Sequence, residues 1–210
     1  MIKVDNIETF NFEGALRGMR NPLASWDQSD SRWVFNYVDE YIIGEKDLAL
    51  ALKLIKAGSD HSKFMRQIFI SMDITAPLYW WKEFDTYKVG TVSNSTSTMH
   101  TIHKTEITPE LFSVEKLDKD SHEIFSDYCY YLEHLRSEYI KTKDKDIWDQ
   151  LIQMLSSSFN QTRTVTLNYA VASNIYPSRE FHKLSEWREF CKVIDSLPYS
   201  QLITGKETDD

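Results

Sequence analysis

The chain lacks most of the short motifs that announce a mechanism. Cysteine occurs only at Cys129 and Cys191, with no CxxC spacing. This excludes a disulfide framework and a cysteine zinc site, and reads as two reduced structural thiols in a cytoplasmic protein. Six glycines and five prolines in 210 residues leave no long Gly/Pro-rich linker. There is no GxGxxG and no GxxxxGK[ST], so the two common glycine-rich phosphate loops are absent. No Ser-His-Asp or Cys-His set accompanies a recognisable elbow. His100 and His103 form an H-x-x-H without a cysteine or carboxylate at ligand spacing, which is too little for a metal. No apolar run approaches a membrane span. The N-terminal MIKVDNIETF resembles neither a signal peptide nor an anchor. A net charge of −8 argues against non-specific nucleic-acid binding, though a local basic pocket for a nucleotide is compatible with it.

What is present is a core. The chain is 41% hydrophobic and 13% aromatic, enough for one domain over residues 1–204, with a disordered tail over 205–210. Residues 1–8 read as a short strand. Residues 14–31 read as a polar, irregular loop with a turn at Asn21-Pro22. Arg32 to Ile43 is aromatic and amphipathic, which predicts a helix. Glu45 to Ala57 is a helix with Leu48, Leu52 and Ile55 on a broad apolar face and Gly58 to end it. Residues 104–119 form an acidic connector. Ser121 to Thr142 is a helix with Ser121 as its cap and Phe125, Cys129 and Leu132 in its stripe. Asp146 to Ser157 is another. Residues 162–175 fit strand or helix equally. Pro177 breaks that segment, and a last helix is expected from Arg179 to Ser196. Helices and strands do not alternate regularly, so the expected class is α+β, with a twisted, mainly antiparallel sheet flanked by long helices in a single domain.

The segment HSKFMRQIFISMDITAPLYWWKEFDTYKVGT, from His61 to Thr91, carries the most information. Phe69, Ser71, Asp73 and Thr75 alternate with Ile70, Met72 and Ile74, the period of a half-buried strand. Ala76-Pro77 then opens a helix, because proline fits a first turn whose N–H would be unpaired. A hydroxyl-rich loop follows from Ser93 to His100.

This frame resembles the flavin-dependent thymidylate synthases, also known as the thymidylate synthase complementing family. There, Gly-His precedes a strand and Ala-Pro opens a helix that carries Arg-Gln and then Arg-His-Arg, followed by Ile-Gly-Ser and a Ser-rich loop. Laid on this chain without a gap, Gly-His falls at Asp60-His61, Arg-Gln at Lys82-Glu83, and the triplet at Thr86-Tyr87-Lys88. Of the triplet, only the last basic position survives, as Lys88. Nearer the C-terminus the family places an Asn at a helix start, a second Asn, an Arg, and a His-Ala-Gln-x-Glu run. Asn168, Asn174 and Arg179 match at one common offset, with His182 and Glu186 following after a deletion. Ile152 stands near where the family has a basic residue for the substrate phosphate.

The resemblance implies FAD and NADPH as cofactors and a homotetramer with flavin between subunits. It also implies transfer of a methylene group from methylenetetrahydrofolate, with a hydride, to C5 of dUMP. No protein nucleophile is required, so orientation and electrostatics are the protein's task. By position, Tyr87, Asn168 and Asn174 would touch the cofactor, while Lys88, Ser97 and Arg179 would touch the substrate. Each has a plainer alternative. Lys88 reads equally as a solvated lysine at a helix end, Tyr87 as a half-buried aromatic, and Ser97 as a turn residue. Arg179 after Pro177-Ser178 would sit at a helix start, a poor place for a cation unless an anion compensates. Tyr79, Trp80 and Trp81 read as core or subunit interface. Glu83, in place of a neutral Gln, opposes a dianionic phosphate. The alternative function is therefore a non-catalytic or retasked flavin- or nucleotide-binding protein on the same scaffold.

Overall fold

The computed structural model describes residues 2–206. The chain gathers into two compact units, each assembled from separated stretches. Among the described residues, the first takes 2–5, 73–86 and 93–164, and the second takes 6–72, 87–92 and 165–206. Strands contribute residues to both, so neither unit is a continuous length of chain.

The elements run β1 (Lys3–Phe10), α1 (Phe12–Arg20), β2 (Arg32–Val34), β3 (Glu40–Ile42), α2 (Glu45–Lys56), β4 (Phe69–Pro77) and α3 (Leu78–Phe84). They continue with β5 (Val92–Ser95), α4 (Thr98–Thr101), α5 (Lys119–Thr142), α6 (Lys145–Met154), β6 (Asn160–Asn168), α7 (Tyr169–Arg179), α8 (Ser185–Asp195) and α9 (Gln201–Thr204). The main sheet has the order β1-β4-β6-β5. The α+β class with a mainly antiparallel sheet is as the sequence implies. Side-chain pairs show the direction of the central strands. Thr75 bonds to Thr162, Thr164 to Asp73, and Thr166 to Ser71. One number rises as the other falls, which is the antiparallel register.

Alternation decides β4. Ile70, Met72, Ile74 and Ala76 are essentially fully buried, while Phe69, Ser71, Asp73 and Thr75 are half-buried. Pro77 ends the strand and is the last residue before α3, whose first N–H groups, on Leu78 and Tyr79, donate to the carbonyls of Phe159 and Ser157. The following rings fill the first unit: Trp80 and Trp81 pack edge to face, and Phe84 stacks on Trp80. Both indoles are buried, so they are core and add nothing to the exposed aromatic surface. Cys129, Leu132 and Leu135 of α5 meet Leu151 of α6 and Phe112 in the same unit's apolar cluster.

Four sequence expectations change. Residues 14–31 are not all loop. Phe12, Ala15, Leu16 and Met19 recur at three-four spacing and are buried along α1, a stripe obscured in the sequence by Gly14, Gly18 and two arginines. Arg32 to Ile43 is a hairpin, not a helix. β2 pairs antiparallel with β3, Trp33 opposite Tyr41, and aromatic and β-branched residues favour that cross-strand contact. The hydroxyl-rich loop contains strand β5 and the short α4. The cap of α5 is Asp118, whose carboxylate accepts from the Ser121 N–H at 2.8 Å. Of the expected tail, Lys206 bonds to Glu180 and Tyr176, and residues 207–210 lie outside the described residues. Among the described residues no helix is long and apolar enough to cross a membrane.

Candidate functional site

The second unit brings the 87–91 loop against both ends of α7. At the C-terminal end, the Arg179 Nε–H donates to the Tyr87 hydroxyl at 2.9 Å. Its guanidinium lies 4.4 Å over the Trp187 ring and 5.6 Å over the Tyr87 ring. His182 Nε2 is 3.0 Å from its Nη1. Tyr87 and Trp187 meet edge to face at 6.0 Å. A planar cation beside two rings gains cation–π attraction and loses little freedom in forming further hydrogen bonds.

Arg179 does not start a helix. α7 continues through Pro177 and ends at Arg179. Tyr169 to Arg179 is apolar enough on its inner face to hold one helix, and Pro177 falls in its exposed last turn. The helix dipole therefore favours this cation, and its position on the helix does not call for an anionic ligand.

At the other end of α7, Asn168 is the N-cap, with its side-chain oxygen accepting from the Val171 N–H at 3.0 Å. It is buried beside Gly90. Gly90 has φ +82°, and a Cβ there would stand 3.1 Å from Asn168 Nδ2 and 3.2 Å from a Val171 methyl. Only glycine allows that backbone conformation so close to a helix start. The Thr91 hydroxyl closes the loop by donating to the Tyr87 carbonyl at 2.7 Å.

Of the six residues singled out in the sequence, Tyr87 and Arg179 are in direct contact. Asn168 meets the same loop at Gly90. Lys88 is exposed in that loop and Asn174 is exposed on α7. Ser97 belongs to the first unit, just before α4, where its carbonyl accepts from the Thr101 hydroxyl and the His100 N–H. Two functional candidates were missed. Trp187 is buried, and a sequence gives no sign separating such a tryptophan from ordinary core. Arg163, in the first unit, lies 4.2 Å over Trp81 and is held by Asp85 at 2.7 Å and Gln161 at 3.0 Å. The alternation of Thr162 to Leu167 was its only signal.

The arrangement supplies amides (Asn168, Asn174), a phenol (Tyr87) and cations (Lys88, Arg179), with no nucleophile. Burial pushes the Cys129 thiol up to about 11 and the Cys191 thiol up to about 12, so neither is a thiolate at neutral pH. No group of three or more metal-ligating side chains occurs among the described residues.

No family model and no curated protein matches the chain. Solved structures do. Flavin-dependent thymidylate synthase from Helicobacter pylori, complexed with FAD and dUMP, superposes with a TM-score of 0.69 at 16% identity, over 96% of this chain and 97% of that one. The chain has the flavin-dependent thymidylate synthase fold. A second structure of the Helicobacter pylori enzyme, with FAD and dUMP, gives 0.69 at 17% identity over 97% of each chain. A UMP/dUMP methylase from Streptomyces cacaoi, bound with 5-Br dUMP, gives 0.60 at 14% identity over 93% of this chain and 89% of that one. In this fold the degenerate triplet Thr86-Tyr87-Lys88 spans the end of the 3-10 turn after α3 and the loop that meets α7. The fit of the donor set to a flavin is chemical. Asparagine amides both donate and accept, as the pyrimidine edge of an isoalloxazine requires, and Lys88 offers a solvent-exposed positive charge.

Proposed function

We propose that this protein is a flavoprotein of the thymidylate synthase type, binding FAD and dUMP and methylating dUMP to dTMP with methylenetetrahydrofolate and NADPH. The observation that carries this reading is the fold: it spans nearly the whole chain in structures whose own ligands are FAD and dUMP. Asn168 and Asn174 would hold the flavin ring's polar edge, and Tyr87 would border it. Lys88, Ser97 and Arg179 would meet the nucleotide, Arg179 with a fork suited to phosphate or carbonyl oxygens. A bound flavin would supply the hydride that a protein side chain cannot. The residues' work is then orientation and charge placement. A homotetramer in the cytoplasm completes the proposal. Exposed Ile124, Tyr130 and Tyr131 on α5 support a helix face that is covered in an assembly.

One observation favours the second reading, a retasked flavin- or nucleotide-binding protein. Tyr87 replaces the family histidine, and its hydroxyl is engaged by Arg179. The two readings separate on the purified protein. FAD titration should develop bound-flavin absorbance near about 450 nm, and dUMP with methylenetetrahydrofolate and NADPH should then give dTMP. Flavin binding without dTMP selects the retasked protein. A protein that takes up neither FAD nor dUMP refutes both.

A further inference from the structure

A cavity of about 250 Å³ in the same unit as the Tyr87–Arg179 cluster shares none of that cluster's residues. It opens between α1, the turns after it and the β2–β3 hairpin, and Glu13, Arg17, Trp26, Arg32, Trp33 and Tyr41 line it. The indoles present faces, not donors. The Trp33 Nε1–H donates to Glu13 at 3.1 Å and the Trp26 Nε1–H to Asn21 at 2.9 Å. Trp33 is further set by Tyr41, 5.4 Å away and edge to face. Even so, Trp26 stays 52% exposed and Trp33 43%. Large apolar faces held in fixed orientation and left wet are what a stacking ligand covers.

The charge is also unbalanced. Arg17 and Arg32 are exposed, and neither guanidinium has a hydrogen bond or ion pair among the described residues. Glu13 is the lining carboxylate, while Arg20 in the wall is matched by Asp47. The remainder is positive in a chain of net charge −8. The floor is rigid, because the hydroxyls of Ser29 and Ser31 and the Arg20 guanidinium converge on the Asp47 carboxylate. An exposed tryptophan or a solvated arginine alone would mean little. Two tied indoles and two unpaired guanidinium groups around one preorganised cavity point to a ligand.

We propose that this cavity binds a small anionic aromatic molecule, one flat ring system bearing a phosphate or a carboxylate. The ring stacks on the Trp26 and Trp33 faces, and Arg17 and Arg32 close on the anion with charge-assisted, forked hydrogen bonds. The volume suits one ring and one anionic group; a dinucleotide such as FAD is too large for it.

The test is calorimetry and tryptophan fluorescence on the full chain, with UMP as the phosphate probe, quinoline-2-carboxylate as the carboxylate probe, and uridine and quinoline as neutral controls. At least one anionic probe should bind saturably. The Arg17→Gln/Arg32→Gln double variant should bind it about tenfold or more weakly, and its neutral analogue should be weaker by a similar factor. Trp26→Leu should weaken binding and reduce the fluorescence change. Which probe binds identifies the anion. Unchanged melting of the variants, expected because both arginines lack partners, shows that folding is intact. The proposal is overturned if neither anionic probe binds at millimolar concentration, or if the double variant binds as wild type does. It is also overturned if UMP binding vanishes in Arg179→Ala but survives in the double variant, because the ligand then occupies the Tyr87–Arg179 site.

Discussion

Arg20 and Arg179 hold the same position in their helices, the last residue of α1 and of α7, and the second unit uses them in opposite ways. Both gain from the helix dipole at that end. Arg20 is 5% exposed and faces Asp47, which is fully buried, at 2.5 Å. The carbonyl and hydroxyl of Ser25 accept from its Nη1 and the carbonyl of Gln28 from its Nη2, while Ser29 and Ser31 donate to the carboxylate. Burial alone would raise the Asp47 pKa, but the hydrogen bonds from Ser29, Ser31 and Arg20 outweigh it and the net shift is downward. Arg179 is half-exposed, and its contacts include two aromatic rings, the Tyr87 phenol and the His182 imidazole. A charge enclosed by a full set of fixed partners fastens the fold. A charge at the edge of solvent keeps a side open to a ligand. The difference lies in the partners, since helix position is shared.

The largest effect should come from breaking the enclosed pair. Asp47→Ala strands a buried guanidinium and should cost about 3–5 kcal/mol, the range for removing one partner of a buried pair. Urea denaturation measures it. Arg20→Met with Asp47→Leu should recover most of the loss, because apolar pairs of similar volume replace buried ions well. If Asp47→Ala costs under about 1 kcal/mol, as exposed pairs do, the contrast between the two arginines fails. The pH sign follows from the lowered pKa. Asp47's contribution is present above the ordinary aspartate value and is lost as the pH falls through the lower folded value. Wild type should therefore lose more stability than the double variant on acidification below about pH 4.

Next in size is the ligand effect at the other arginine. Arg179→Ala should weaken dUMP binding by about 1.5–3 kcal/mol, the range for hydrogen bonds to charged groups. Lys88→Ala should do less, as a single exposed point charge fixes orientation poorly. Calorimetry on wild type and both variants decides. Unchanged affinity in Arg179→Ala would make Arg179 structural too, and the comparison would collapse to two fastened cations.

How much of this could be read from the sequence followed the physics of each segment. β4 and α3 were legible because strict alternation from Phe69 to Thr75 meets a proline at the turn, and local and tertiary preferences agree there. α2 and α5 were legible for the same reason. The hairpin was not: a three-residue strand is too short for alternation to separate from helical spacing, and only the pairing of Trp33 with Tyr41 settles it. Arg179 reads from the sequence as the start of the last helix and instead ends the preceding one, because Pro177 reads as a breaker and α7 carries it in its last turn. The contacts that define the site, Arg179 on Trp187 and Gly90 on Asn168, join residues far apart in the chain, so no local pattern encodes them.

The smallest effect would sharpen the comparison most. Tyr87→Phe keeps the ring against Trp187 and beneath the Arg179 guanidinium, and removes only the hydroxyl that accepts from Arg179 Nε. A hydrogen bond to a charged group is worth about 1.5–3 kcal/mol net, but partial exposure lets water replace the lost acceptor and reduces the loss. Stability should thus fall by about 1 kcal/mol or less, seen as a small shift in the urea midpoint. Ligand binding should respond differently. If the phenol holds the guanidinium away from a nucleotide, removing it releases one of Arg179's contacts, and dUMP affinity should be unchanged or higher. If the phenol instead aims the guanidinium at the nucleotide, affinity should drop while stability barely moves. The double mutant Tyr87→Phe/Arg179→Ala tests both cases, because coupling between the two substitutions appears in affinity only when the phenol acts through the arginine, and the sign of the coupling tells the two apart.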